Sequence, residues 1–396
     1  MKIGIYVHGY QPNSGGGYTF EKEILETLMN FIPQSHHEFS IFTSNSTLDV
    51  TNLLAKTSKI KFINLKGNRR FITRLLRKIM ILDDWKLRNP SDLNYCAKKI
   101  GVEFLWFITP SYQRVNIPYI AIVWDLQHRL QPWFPEVGTY NEWLLRERSN
   151  SDFIQRATFV LTGTKTGKEE ISFFYQIPKE RIRVLPLPPP RIADKFKENQ
   201  VQMVLEKYKL TSGFLFYPSQ FWPHKNHANL LNALKILNIK YNISFDLVLV
   251  GSDKGNEEYI RKLAIKLGIE KRVHFLGFVS KEELISLYQS AFVLTFVSFF
   301  GPDNIPPLEA FRIGCPVIAS DVPGSEEQLG DAALLVDPSN PNAIADAVKL
   351  LIDDPRKRLD LIEHGKKIVN NWTSDDYVRS VLKIFDEFEN IRVTWG

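Results

Sequence analysis

The stretch Phe300–Ser320, FGPDNIPPLEAFRIGCPVIAS, decides the reading of the chain. Pro306 and Pro307 stand where a helix would begin, because proline's fixed φ suits the first turn and its missing donor costs nothing there. Asn304, just ahead of them, is the expected N-cap. Glu309 then falls in the first turn, its carboxylate projecting from a sheet edge into a cleft. Helix N-termini present free N–H groups and positive potential, which suit a diphosphate. A carboxylate at that place accepts hydrogen bonds from ribose hydroxyls; the plainer reading is a capping group that only steadies the helix. Beyond the helix, the apolar run Ile313–Val317 makes Cys315 a core thiol and leads into a strand at Pro316–Ala319.

Outward from this segment the same alternation repeats. Toward the C-terminus the pattern predicts a strand at Ala333–Val336 and helices at Pro341–Asp353, Arg356–Asn371 and Ser374–Glu389. Toward the N-terminus it predicts strands at Phe214–Tyr217, Asp246–Val250, Val273–Phe275 and Phe292–Phe296. Helices at Asn226–Lys240, Glu257–Leu267 and Lys281–Gln289 separate them. The first half reads likewise, with strands at Lys2–Val7, Phe39–Thr43, Ile60–Leu65, Phe104–Phe107, Tyr119–Trp124 and Phe159–Thr162. Helical spacing recurs at Phe20–Phe31, Phe71–Ile81, Asp92–Ile100, Glu142–Gln155 and Thr166–Tyr175. Leu185–Lys197, LPLPPPRIADKFK, is stiffened by prolines and reads as the linker. The fold class is α/β, with two doubly wound domains facing each other across a cleft at the carboxyl ends of both sheets. The expected divisions are 1–190, 198–373 and a crossing helix in 374–396.

Composition limits the partners. The chain has 396 residues and a formal net charge of +6, which suits nucleotides, phosphorylated lipids or an anionic surface. Two cysteines far apart provide neither a disulfide framework nor a zinc site. No recognised nucleic-acid motif accompanies the charge, so nucleic acid is not an expected partner. There is no run of about 18 apolar residues, and Met1–Val7 is too short for a signal h-region. The expectation is a cytoplasmic protein. The basic segment 59–82 carries Phe71, Leu75, Ile79 and Leu82 on one helical face, a pattern that either lies on an anionic membrane or packs inside the domain.

Three further motifs face the same cleft. Tyr217–Leu231, YPSQFWPHKNHANLL, places Lys225 at a helix start, either as an ordinary exposed lysine or, since a cation there opposes the helix dipole, as a group that meets an anionic partner. Gly15–Gly17 opens the first helix and lets backbone approach a ligand; it is not the GxGxxG fingerprint. Trp124–Arg129, WDLQHR, offers Asp125 and His128 at a strand end, or a turn-capping aspartate and a core histidine.

Together these motifs resemble the retaining glycosyltransferases of family 4, whose architecture is called GT-B. Leu308-Glu309-Ala310, Gly314, Pro316-Val317 and Ser320 match that family's nucleotide-sugar signature in order. Its first glutamate is absent, and Gly301 stands there. An arginine usual before the lysine is replaced by Ser219 or Gln220, and Trp124 replaces a histidine. The resemblance implies that Glu309 holds the donor ribose and that amides around Asn304 and Ile305 face the donor sugar or phosphates. Asp303 or Asn304 then substitutes for the missing glutamate. It implies that Lys225, with His224 and His227 nearby, neutralises the departing diphosphate, and that Gly16 and Gly17 close over it. Phe278 and Val279, after Gly277, then meet the base, while Asp125 and His128 meet the acceptor hydroxyl or donor sugar. The implied reaction is sugar transfer from a UDP-linked donor to a saccharide or lipid-linked acceptor, with retention, in polysaccharide or glycolipid synthesis. No paired carboxylates mark a donor metal, so no metal or other cofactor is expected. The competing readings are a catalytically degenerate nucleotide-binding scaffold and a nucleotide-sugar epimerase.

Overall fold

The computed structural model describes residues 1–11, 15–44, 60–65, 91–111, 113–191, 199–301 and 303–395. The predicted helix over 71–81, and with it the membrane reading of segment 59–82, lies outside the described residues. Among the described residues no helix is long and apolar enough to cross a membrane.

Among the described residues the first sheet has seven strands, in the order β3-β2-β1-β4-β5-β6-β7. They are β1 Lys2–Val7, β2 Glu38–Thr43, β3 Lys61–Asn64, β4 Phe104–Phe107, β5 Tyr119–Ile122, β6 Phe159–Thr162 and β7 Ile182–Val184. The second has six, β10-β9-β8-β11-β12-β13. These are β8 Phe214–Pro218, β9 Leu247–Val250, β10 Val273–Phe275, β11 Ala291–Phe296, β12 Val317–Ser320 and β13 Ala333–Val336. Every pairing is parallel. In each sheet the order reverses beside the first strand, the switch point where such folds bind ligands. Strands β4, β5, β6, β9 and β12 are buried at every residue, as strands covered by helices on both faces must be.

Side chains of the first sheet alternate between two cores. Ile3, Ile5, Phe104 and Trp106 join one cluster that continues into the second domain, while Tyr6, Phe42, Leu105 and Phe107 form another on the opposite face. The C-terminal helix Ser374–Arg392 covers the first of these faces. Phe388 stacks on Phe104 at 4.1 Å, Phe385 meets Trp106 edge-on at 6.1 Å, and Tyr377 meets Phe20 at 5.6 Å. Thr373 and Asp376 form a capping box that starts this helix.

The sequence reading misses several elements, among them β7, the helix Asn199–Tyr208 and the short helices Gln127–Leu130, Pro135–Gly138 and Ser325–Leu329. β7 is three residues long, too short to show alternation, and Leu185 prolongs its pairing with a bond from its N–H to Thr162 O (2.8 Å). The helix Asn199–Tyr208 packs against Lys281–Ser290, where the Tyr208 hydroxyl donates to Glu283 (3.1 Å). Cys315 is buried as expected, and burial pushes its thiol up to about 12.

Candidate active site

The carboxyl ends of β1 and β8 face each other. After β1, three consecutive N–H groups, of His8, Gly9 and Tyr10, donate to Glu21 at 2.8, 2.9 and 3.1 Å. That carboxylate, on the helix Gly16–Phe31, ties down the approach to the glycine loop. A β-carbon at Gly15 would lie 3.8 Å from the Gln220 side chain, and one at Gly16 3.4 Å from Ile305. A β-carbon at Gly17 would meet Tyr10 of the same domain at 3.4 Å. The loop therefore lies against both nucleotide-type motifs of the second domain.

After β8 the chain makes a tight turn, Pro223–Lys225, before the helix His227–Tyr241. Asn226 adopts a left-handed conformation (φ 60°) and its Nδ2 donates to Val297 O and Pro338 O at 2.9 and 2.7 Å. The Tyr217 hydroxyl donates to Lys225 O at 2.7 Å. Lys225 thus precedes the helix on a rigid turn. Its ammonium lies over the Phe296 ring, 5.3 Å from the centroid, and has no ion-pair partner among the described residues. Burial pushes it down to about 8, against the pull of Asp125 and Glu136 from the other domain.

The neighbouring histidines behave differently. His224 stacks on Phe300 at 4.0 Å and is hydrogen-bonded to Glu136 of the first domain, while its backbone N–H donates to the same carboxylate (2.9 Å). Burial holds it down at about 4, so it is neutral at pH 7. His227 is buried between Phe221 and Tyr217, with burial pushing it down to about 3. Neither adds charge to Lys225. Ser219 is buried, its N–H donating to Val250 O (2.7 Å). Phe278 is exposed and Val279 buried, beside Gly277, whose carbonyl accepts from Gly251 N–H (2.9 Å).

The Phe300–Ser320 segment departs from expectation in detail. The helix runs Ile305–Ile313, one residue earlier than predicted, so Glu309 lies in its second turn. Asn304 occupies the N-cap position, but its side chain bonds Gly301 O (2.8 Å) instead of capping. The prolines leave Ile305 and Leu308 as the N–H donors of the first turn. Glu309 is buried, with Oε2 accepting from the Tyr288 hydroxyl (2.9 Å). Burial pushes its carboxyl up to about 7, and the Tyr288 bond opposes this. Gly301, at the position of the family's first glutamate, has φ 109° and would bring a β-carbon within 2.5 Å of the Asn304 amide. The backbone there has room for glycine alone.

Asp303 does not face the cleft as a free sugar ligand. Its Oδ2 accepts from Leu187 N–H (3.2 Å) in the first domain, and its Oδ1 from Gln328 (2.7 Å). Burial pushes it up to about 7. It sits where a β-carbon on Gly163 would be, 1.6 Å away. Nearby, Glu327 accepts from the N–H groups of Lys165 (2.7 Å) and Thr166 (3.4 Å), capping a first-domain helix from the second domain. Gln131 Nε2 donates to Phe299 O (2.8 Å) on the opposite side. These contacts hold the two domains together around the cleft. Gly163→Ala is therefore expected to expel Asp303 and to cost about 1–3 kcal/mol in chemical denaturation. In a Gly163→Ala/Asp303→Ala pair the two costs should fall short of additive, whereas strict additivity would deny the contact.

Asp125 and His128 separate. Asp125 is half-buried; its Oδ1 accepts from Gln127 N–H (3.1 Å) and from Arg146 (3.5 Å), which is the turn-capping role. Its charge nonetheless reaches Lys225. His128 is fully buried, with Nε2 3.3 Å from the Tyr175 hydroxyl and 3.4 Å from Glu147. The short helix Gln127–Leu130 turns it into the domain, so an acceptor does not reach it in this arrangement. Trp124 packs edge-on against Phe20 at 5.7 Å. Sequence reasoning missed Glu136, Tyr288 and Glu327, because each acts through a partner far along the chain.

Two parallel sheets facing each other across such a cleft define the GT-B architecture of glycosyltransferases. Residues 204–368 match the family described as glycosyl transferases group 1. O-antigen chain mannosyltransferase B of Escherichia coli is 30% identical over 210 residues, covering 52% of this chain and 55% of that protein. O-antigen chain mannosyltransferase RfbU of Salmonella typhimurium is 27% identical over 230 residues, covering 56% and 61%. The chain thus spans somewhat over half the length of these curated relatives. The structure of Anabaena Alr3699/HepE in complex with UDP superposes with a TM-score of 0.71 at 15% identity, over 98% of this chain and 100% of that one, and shares the fold.

Proposed function

We propose that the chain is a retaining hexosyltransferase. It moves a sugar from a nucleoside diphosphate donor, UDP-linked, to a saccharide or lipid-linked saccharide in polysaccharide or glycolipid assembly. The observation that carries this is Lys225, a half-buried ammonium without an ion-pair partner among the described residues, directed at the cleft from a rigid turn. A cation so held stabilises negative charge that develops on a departing diphosphate. The amides at Ile305 and Leu308 add positive potential on the other side, and the glycine loop leaves room for phosphate between them. The donor ribose hydroxyls donate to Glu309, displacing Tyr288 from its carboxylate. The acceptor hydroxyl attacks from the face the phosphate leaves, and a departing phosphate oxygen takes the acceptor proton. No protein base and no metal act in this scheme. Two of the relatives are O-antigen chain mannosyltransferases, which makes a mannosyl donor the first alternative to a UDP-linked one.

The test is a thermal-shift screen of the full chain against nucleoside diphosphates and their sugars, with and without Mg²⁺ and EDTA. A ligand bound at 100 times its Kd stabilises by about 2.7 kcal/mol, a shift of several degrees. The expected result is a shift with one nucleotide sugar that survives EDTA and disappears in Glu309→Ala. No shift with any nucleotide would return the cleft to a degenerate scaffold. A shift accompanied by conversion of the donor without acceptor would make the protein an epimerase.

A further inference from the structure

Far from the cleft, two histidines and two carboxylates converge where the C-terminal helix crosses the first domain. His36 and His37 end the turn before β2, and Asp386 and Glu389 stand three residues apart on the helix Ser374–Arg392, hence on one face. One donor atom from each of the four lies within 4.8 Å of all the others. His36 Nε2 is 2.8 Å from Glu389 Oε2 and 3.7 Å from Asp386 Oδ1, and His37 Nε2 is 3.1 Å from Asp386 Oδ1.

We infer that these four side chains form a site for a zinc-class divalent cation, a staple between the first domain and the C-terminal helix. Imidazole nitrogen and carboxylate oxygen bind Zn²⁺ at about 2.0–2.2 Å, so tetrahedral donors lie about 3.3 Å apart. The observed spacings bracket that edge length. The mixed nitrogen and oxygen set favours zinc, nickel or copper over magnesium or calcium, which take oxygen ligands.

The supports are in place. His37 is almost fully enclosed (side chain 1% exposed), its ring fixed against Phe39 at 6.4 Å and Phe385 at 6.0 Å. The His36 ring lies 4.0 Å from it. The Met1 amine donates to Glu389 Oε1 (2.9 Å), which leaves Oε2 directed at His36. His36 and Asp386 are the open side, with side chains 63% and 54% exposed, and provide the entry path. Ligands separated by about 350 positions in sequence would be joined by one ion.

The test uses the full chain without a polyhistidine tag, stripped with EDTA and dialysed. Titration with ZnCl₂, followed by calorimetry and by metal analysis after desalting, should give one zinc per chain. The melting temperature should rise with Zn²⁺ and stay level with Mg²⁺ at the same concentration. His36→Ala and Asp386→Asn, both at exposed side chains, should each weaken zinc binding about tenfold or more while leaving the circular dichroism spectrum intact. Co²⁺ should give the visible absorption of a four-coordinate site, lost in either variant. Zinc binding and thermal shift unchanged in the double variant would overturn the assignment, as would no binding up to the millimolar range. None of these readouts involves nucleotide, so failure of the cleft reading leaves them intact.

Discussion

Exchange of Lys225 for alanine should lower the rate of the proposed sugar transfer by about 10²–10³-fold, equivalent to about 2.7–4 kcal/mol of transition-state stabilisation. The size of the effect follows from preorganisation. The turn that carries the lysine is pinned by the Tyr217 hydroxyl and by both bonds of the Asn226 amide. Its ammonium pairs with no carboxylate among the described residues, so truncation strands no buried countercharge and the fold should survive. Lys225→Arg should retain part of the rate, because charge is kept while geometry changes. Single-turnover transfer with the selected donor is the measurement; a Lys225→Ala rate within threefold of the parent would remove the lysine from the mechanism.

Glu309→Gln should weaken donor binding by about 10–100-fold, as one or two charge-assisted bonds to ribose hydroxyls are lost. It should also change the shape of the pH dependence. Burial raises the Glu309 carboxyl to about 7, so below that pH it holds a proton and no longer accepts from both hydroxyls. Lys225, lowered to about 8, loses its charge above that pH. Donor affinity should therefore peak between about 7 and 8, with the acid limb absent in Glu309→Gln and the basic limb absent in Lys225→Arg. A nucleotide sugar serves better than free UDP, since its diphosphate does not titrate near neutrality.

The same carboxyl has an opposite effect on the ligand-free fold. A folded value raised from 4.5 favours the protonated state on folding, so this contribution is complete below 4.5 and is lost as pH rises through about 7. Glu309→Gln should accordingly raise the melting temperature of the free protein above pH 7 while weakening its donor binding. A pH profile of donor binding unchanged in Glu309→Gln would assign the acid limb elsewhere, Asp303 and Glu170 being further carboxyls that burial raises to about 7.

The architecture was legible because it is written in short-range periodicity. Buried strands such as Leu247–Val250 and Val317–Ser320 are apolar at nearly every position, and the helices between them carry one apolar face. Pro306 and Pro307 announced a helix start, and glycines announced the loop after β1. The place of Lys225 before a helix was readable for the same reason: the residue types within a few positions define the turn. Element boundaries moved by a residue or two, enough to carry Glu309 from the first turn into the second.

What the sequence determined by itself is the pair of doubly wound sheets, their order along the chain and the motifs at their carboxyl ends. Local spacing tells which face of an element is apolar, and that suffices to build such sheets. The tertiary structure alone decided which side chains meet. It buried His128 against Tyr175 and neutralised His224 beside Glu136, 88 positions away. It turned Asp303 toward Leu187, 116 positions away, and drew Glu309 onto Tyr288. It also brought His36 and His37 to the C-terminal helix. Periodicity carries no information about partners at such separations. Charge, burial and pKa at a site are properties of those partners, and they exist only once the two domains and the crossing helix have closed on one another.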